Sequence, residues 1–286
     1  HEVSGIVEEV GAGLNYKKGD RVACSHHLPC GTCRYCLAGH ETVCDSLRKT
    51  NFDPGGFSEF LRLPKINADY GVFHLPDSVS FEEATFIEPL ACVLRGQQLA
   101  GFRKGQSVLV LGSGIAGLLH ICLARQGLAG FILATDVVDY RLKQAKSCGA
   151  DQAVLAKEYS PGLLRKLNQN RLADLVIVST GSIPAITQAL ESVERGGTVL
   201  FFAPTDKDAK VSIPFNELFW RNEITLTSSY AGSPKDYKDA LDLIAGKKLK
   251  VLDLITHRLS LAQISEGFRL VSEAKDSIKV IIEPQR

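Results

Sequence analysis

The sequence predicts an α/β protein in which a doubly wound parallel sheet follows a smaller β-rich region carrying a cysteine cluster. Three observations lead there. From Gly96 to about Ser233 short apolar runs alternate with amphipathic stretches, the pattern of strands and helices in βαβ units. A glycine-rich turn, Gly112-Ser113-Gly114-Ile115-Ala116-Gly117, stands directly behind one of those runs. Ahead of it, residues 1–95 hold β-like runs and glycine turns, with four cysteines inside fifteen residues.

In the first region strands are expected over residues 3–10, 21–23 and 57–63. In the second they are expected over 107–111, 131–135, 152–155, 175–179, 198–202 and 224–227, several of them continuously apolar. That texture suits a parallel sheet covered by helices on both faces. Between them Leu142 with Ala145, and Ile186 with Leu190 and Val193, mark helical faces. The last fifty residues predict helices over 237–245 and 261–272 and a closing strand over 278–282. The domains are therefore expected as 1–95, 96–233, and 234–286 returning to the first.

A length of 286 residues suffices for two ordinary cores. A formal net charge of +1 advertises no polyanionic partner. Gly105 to Ala124 lacks charged residues and nearly matches a bilayer span, but its patterned glycines read as strand, turn and helix. No membrane and no nucleic-acid partner is expected. The chain opens on His1-Glu2 and contains no methionine, so an N-terminally truncated sequence is expected.

Cys30, Cys33, Cys36 and Cys44 follow C-x2-C-x2-C-x7-C, with Gly31 easing the turn between the first two. Four thiolates so spaced fit a closed tetrahedral zinc site, whose job is folding rather than chemistry. An iron–sulfur cluster is the alternative, since the same opening begins the ferredoxin run. That run continues with C-x3-C-P, whereas here seven residues intervene and Asp45 follows. The clustering points to a reducing compartment, hence the cytoplasm. Cys24, Cys92, Cys122 and Cys148 stand singly and read as small buried hydrophobes, with Cys92 one helical turn after Glu88.

The glycine turn is G-x-G-x-x-G between an expected strand and a helical run. There Gly112, Gly114 and Gly117 permit a tight turn, close approach of a pyrophosphate, and close helix packing. Ile115 and Ala116 open the helix whose unpaired N–H groups would face the phosphates. Asp136 ends the next expected strand, nineteen residues past Gly117. A carboxylate there would accept the ribose hydroxyls of NAD and repel the extra phosphate of NADP; a helix cap is its plainer reading. Arg141 would lie along the adenosine. Thr180, Phe202, Ala203 and Pro204 end later strands and are expected at the nicotinamide side, with Ser229 and Tyr230 as weaker candidates.

Together these signals resemble the zinc-dependent medium-chain dehydrogenases, the sorbitol and threonine dehydrogenase branch above all. The opening His1-Glu2-Val3-Ser4-Gly5 is similar to that family's G-H-E signature, and Gly19-Asp20-Arg21-Val22 and Glu88-Pro89-Leu90-Ala91 match further segments. The resemblance implies a GroES-like catalytic domain beside a Rossmann domain, with a second, catalytic zinc between them. It makes His1 a ligand of that zinc, Glu2 a ligand in the sorbitol-type branch, and Glu88 a ligand or the anchor of a metal-held water. His27 would face the substrate, as in the threonine branch; taken by themselves, His26 and His27 read as surface or capping histidines. The family's first ligand is a cysteine upstream of G-H-E, outside this sequence. The implied reaction is hydride transfer from an alcohol or polyol to NAD, in a homodimer or homotetramer. Two other readings stand beside it: a catalytically inactive dinucleotide-binding relative, and a zinc-ribbon nucleic-acid module fused to a Rossmann domain.

Overall fold

The computed structural model describes all 286 residues and divides into two compact units, His1–Arg95 with Tyr230–Arg286, and Gly96–Ser229. The return to the first unit thus begins at Tyr230, a few residues before the expected boundary.

The first unit opens with β1 (Val3–Ile6) and β2 (Arg21–Cys24), followed by the single-turn α1 (Arg34–Leu37) and a 3-10 turn at Glu41–Val43. Next come α2 (Lys65–Tyr70), β3 (Val72–His74), α3 (Phe81–Ala84) and α4 (Ile87–Leu99). β1, β2 and β3 form an antiparallel sheet, Val3 opposite Cys24 and Val22 opposite His74. Val22, Cys24 and Phe52 form its core, with Val3, Val7, Leu61 and Leu63 packed against them.

Two expectations fail in this sheet. β1 stops at Ile6 because the Val7 N–H and carbonyl turn to Asp20 and Gly19, at 2.9 and 2.8 Å. Residues 57–63 form no strand; their segment keeps a single bridge, Asp53 to Arg62. Phe57 and Phe60 remain exposed there. Alternation in sequence makes a strand only where a neighbouring strand accepts its ladder.

The second unit carries β4 (Ser107–Leu111), α5 (Ile115–Gln126), β5 (Phe131–Asp136), α6 (Asp139–Ser147), β6 (Gln152–Leu155), α7 (Pro161–Leu167) and β7 (Ala173–Val178). α8 (Ile183–Ser192), β8 (Val193–Phe201), α9 (Phe215–Phe219) and β9 (Thr225–Ser228) complete it. All six strands are parallel, in the order β6-β5-β4-β7-β8-β9. The order reverses at β4 and β7, which opens the crevice where such sheets bind dinucleotides. Every residue of β4 is buried, the reason it reads as apolar from Val108 to Leu111. β8 begins five residues before its expected start, running through Gly196-Gly197 with a register shift against β7. The charge-free stretch 105–124 resolves into β4, its turn and α5, and no helix is long and apolar enough to cross a membrane.

The return segment holds α10 (Pro234–Ala245), β10 (Ile255–Ser260), α11 (Ile264–Glu273) and β11 (Lys279–Glu283). β10 pairs with β11 in parallel. Its sequence, ITHRLS, has no apolar run and escaped the sequence reading because its ladder is made with a strand further along the chain, Ile255 opposite Lys279.

Candidate active site and cofactor sites

The four clustered cysteines come together in the first unit. The Cys30 N–H carries the chain back to Cys44 Sγ at 3.4 Å, and the Cys33 N–H donates to Cys30 Sγ at 3.3 Å. Cys33 and Cys36 sulfurs are 3.5 Å apart, those of Cys44 and Cys30 3.7 Å. A tetrahedral zinc with Zn–S near 2.3 Å requires S···S edges of about 3.8 Å, so the donor set fits the ion. The N–H and hydroxyl of Thr32, with the Cys33 N–H, bring the Cys30 thiol down to about 6, which favours the thiolate a metal needs. Burial pushes Cys36 the other way, up to about 12. The arrangement is tied to the rest of the unit through Arg95, whose buried guanidinium reaches Gly39 O at 3.2 Å, Glu41 at 3.5 Å and Asp236 at 3.5 Å. Of the four single cysteines only Cys24 is fully buried, while Cys92, Cys122 and Cys148 are half-buried.

A second group forms where β1 begins, β2 ends and α4 starts. His1, His26 and Glu88 bring ligand atoms within 4.8 Å of one another. His1 Nε2 lies 3.9 Å from Glu88 Oε2, and the Cys92 thiol donates to Glu88 Oε1 at 3.4 Å. Burial first, then the Glu2 carboxylate, push the Glu88 carboxyl up to about 7. Burial likewise pushes the His26 imidazole down to about 3, and its Nδ1 is buried without a partner. A buried carboxylate lacking a full counter-charge beside an unpaired ring nitrogen is a donor set that a divalent cation would satisfy.

The other expected residues of this group go elsewhere. Glu2 pairs with Lys279. The His27 ring lies with Nδ1 at 3.0 Å from Thr50 O and Nε2 at 3.2 Å from Tyr230 Oη. Tyr230, expected near the nicotinamide, therefore belongs to the first unit. His26 is the residue that sequence reasoning missed: it is buried, not a surface or capping histidine. Its only signal was its place two residues beyond Cys24, the end of β2, and which way a side chain just past a strand faces is decided by contacts such as that of Asn67 with the Ser25 and His26 carbonyls.

In the second unit the glycine turn joins β4 to α5, which starts after Gly114 with no side-chain cap, so the first N–H groups stay available to an anion. Gly112 has φ +94°, and a Cβ on Gly117 would lie 1.9 Å from Gly112 O. Asp136 ends β5 and accepts from Ser113 N at 2.7 Å and Val138 N at 3.0 Å. The N-cap of α6 is Val138, so Asp136 does not cap that helix. Arg141 Nη1 stands 3.9 Å from Asp136, with its Nε buried and unpaired. Thr180 follows β7, where Gly181 sits so close to Pro204 O that a Cβ would come within 2.5 Å. The Phe202 and Ala203 N–H groups both reach Val178 O, at 3.0 and 3.2 Å. Ser229 follows β9 with its hydroxyl buried and unpaired.

Residues 1–77 match the family model of the alcohol dehydrogenase GroES-like domain, and residues 116–246 that of zinc-binding dehydrogenases. The chain is 30% identical to a sorbitol dehydrogenase of Halalkalibacterium halodurans, over 99% of this chain and 82% of that one. It is 33% identical to a D-altritol 5-dehydrogenase of Agrobacterium fabrum, over 94% of this chain and 78% of that one. Among solved structures, a Sinorhizobium meliloti chain bound to NADP matches with a TM-score of 0.87 and 27% identity, covering 99% of this chain and 82% of its own. The cysteine group, the glycine turn and these likenesses agree: the chain belongs to the zinc-dependent medium-chain alcohol dehydrogenases, oxidoreductases that work with a nicotinamide dinucleotide, and to their sorbitol dehydrogenase-like branch.

Proposed function

We propose that the chain oxidises a hydroxyl-bearing carbon of a polyol with NAD, holding a structural zinc on Cys30, Cys33, Cys36 and Cys44 and a catalytic zinc on His1 and Glu88. The observation that carries the substrate class is that relatives it matches along nearly its whole length include dehydrogenases named for sorbitol and D-altritol. Bound, the metal supplies Lewis acidity toward an alcohol oxygen and the dinucleotide supplies the hydride acceptor.

The chain's own residues supply position and electrostatics. Glu88 is fixed at the start of α4, with the Cys92 thiol holding one carboxylate oxygen. His27, whose ring nitrogens are held by Thr50 and Tyr230, would meet a substrate hydroxyl by exchanging its Tyr230 contact for it. The α5 N-terminus receives the pyrophosphate, with Gly114 allowing close approach. Two of the roughly four acceptor positions of the Asp136 carboxylate are used by Ser113 and Val138. The remaining two suit a pair of ribose hydroxyls, and the negative charge opposes a 2′-phosphate. Thr180, Phe202, Ala203, Pro204 and Ser229 follow the carboxyl ends of β7, β8 and β9 and flank the nicotinamide in this reading. Assembly as a homodimer or homotetramer, in the cytoplasm, belongs to the same reading and rests on the family alone.

The test is a panel of polyols, simple secondary alcohols and threonine, followed by NADH absorbance and repeated with NADP. Turnover confined to polyols with NAD is expected. Turnover of threonine alone, or a preference for NADP, the dinucleotide bound in the Sinorhizobium meliloti structure, would overturn the substrate or the cofactor assignment respectively.

A further inference from the structure

Four potential ligands crowd the start of β1, and the structure sorts them into two sets. His1, His26 and Glu88 bring ligand atoms within 4.8 Å of one another. Glu2, the neighbour of His1 in sequence, turns to Lys279. That lysine is itself buried, donates to Thr85 O at 3.0 Å, and lies 4.7 Å from the Phe86 ring centroid. If Glu2 left it, an ammonium would stay buried against one carbonyl and a ring face, which is strongly unfavourable.

His26 is fixed through its backbone. The fully buried Asn67 donates from Nδ2 to both Ser25 O and His26 O at 2.9 Å, locking the peptides just after β2. The imidazole then lies 4.5 Å from the His1 ring and 6.2 Å edge-on from Phe52. Its Nδ1 is buried and unpaired, an uncommon state for a polar atom in a folded protein. The adjacent His27 differs, because both of its ring nitrogens already have partners in Thr50 and Tyr230.

We propose that His26 is a ligand of the metal held by His1 and Glu88, taking the place that the sorbitol-type pattern gives to Glu2, which Lys279 withholds. This rests on the catalytic metal site proposed above. It makes that centre richer in imidazole, and so gives it a neutral donor where the branch pattern has a carboxylate.

The test uses the full-length protein with cobalt(II) exchanged into this site, the four-cysteine zinc being left in place. X-ray absorption at the cobalt edge is expected to count two imidazoles; a count of one overturns the proposal without any mutant having to fold. His26→Asn should weaken cobalt binding at this site about a hundredfold or more, since even removal of a group that only orients a ligand costs ten- to hundredfold. It should also shift the visible cobalt bands while the four-cysteine zinc stays bound. His27→Asn, and the paired Glu2→Gln/Lys279→Met change that leaves no buried charge behind, should leave the bands and the affinity as they are. Unchanged bands in His26→Asn, or loss of metal in the Glu2→Gln/Lys279→Met variant instead, overturns the assignment of His26. If His1→Asn is also silent, the catalytic site itself is misplaced, an outcome distinct from the failure of His26 alone.

Discussion

Asp136 Oδ2 accepts the backbone N–H of Ser113 at 2.7 Å, a bond that ties the end of β5 to the middle of the glycine turn. The carboxylate is buried, and its other oxygen holds the Val138 N–H at 3.0 Å. One side chain thus shapes the glycine turn proposed to receive the pyrophosphate and presents the charge that a ribose would meet.

Asp136→Ala is expected to lower kcat/KM for NAD by about ten- to hundredfold, the worth of roughly 1.5–3 kcal/mol of hydrogen bonding to a charged acceptor. NADP should fall less, because the charge opposing its 2′-phosphate has gone. The readout is the ratio of the two efficiencies in wild type and variant. Equal losses would mean that Asp136 acts only through the loop.

Two glycines of the same turn should separate folding from binding. A Cβ on Gly117 meets the carbonyl of Gly112 at 1.9 Å, whereas one on Gly114 meets only the Arg141 guanidinium at 3.9 Å. Gly117→Ala is therefore expected to destabilise by about 1–3 kcal/mol or more, as overpacking does. Gly114→Ala should keep the wild-type Tm yet weaken dinucleotide binding, since the open space there is what a pyrophosphate would use. Thermal melts and dinucleotide titration of both variants check this; a wild-type affinity in Gly114→Ala would contradict it.

Metal analysis of the full-length protein is expected to find two zinc ions per subunit, the four-cysteine ion resisting mild chelation. Cys33→Ser should yield mostly insoluble protein, because zinc held by such sites contributes folding free energy directly. Iron with sulfide in place of zinc would return the cluster to the iron–sulfur reading. A soluble Cys33→Ser protein with full zinc would remove its structural role.

Glu83 supplies a pH-dependent part of the first unit's stability. Burial alone would raise its carboxyl, but the Lys247 ammonium at 2.7 Å and the Ser80 N–H and hydroxyl, at 2.9 and 3.1 Å, outweigh burial and leave it below its ordinary value. A carboxyl depressed in the folded state stabilises fully above its unfolded pKa, near 4.3, and loses that contribution as pH falls through the folded value. Glu83→Gln should cost about 1–3 kcal/mol at pH 7. The gap from wild type should close as pH drops below about 4. Denaturant melts at the two pH values measure it, and a pH-independent gap would assign the cost to packing instead.

Local order along the chain was enough to establish the α/β class, the parallel strands of the second unit, the glycine turn and the cysteine group. These are patterns of short range: β4 is buried on both faces and reads as SVLVL, and C-x2-C-x2-C closes within a few turns of chain. What depends on partners distant in sequence was decided by tertiary structure. β10 exists because β11 pairs with it, and residues 57–63 form no strand because nothing offers them a ladder. The His1 group draws on positions 1, 26 and 88, and Glu2 is drawn away by residue 279, an ion pair spanning 277 positions. Which face of a strand end looks inward, and which of two adjacent acids or histidines finds a counter-charge, is a matter of register and burial. Neither leaves a periodic mark in the sequence.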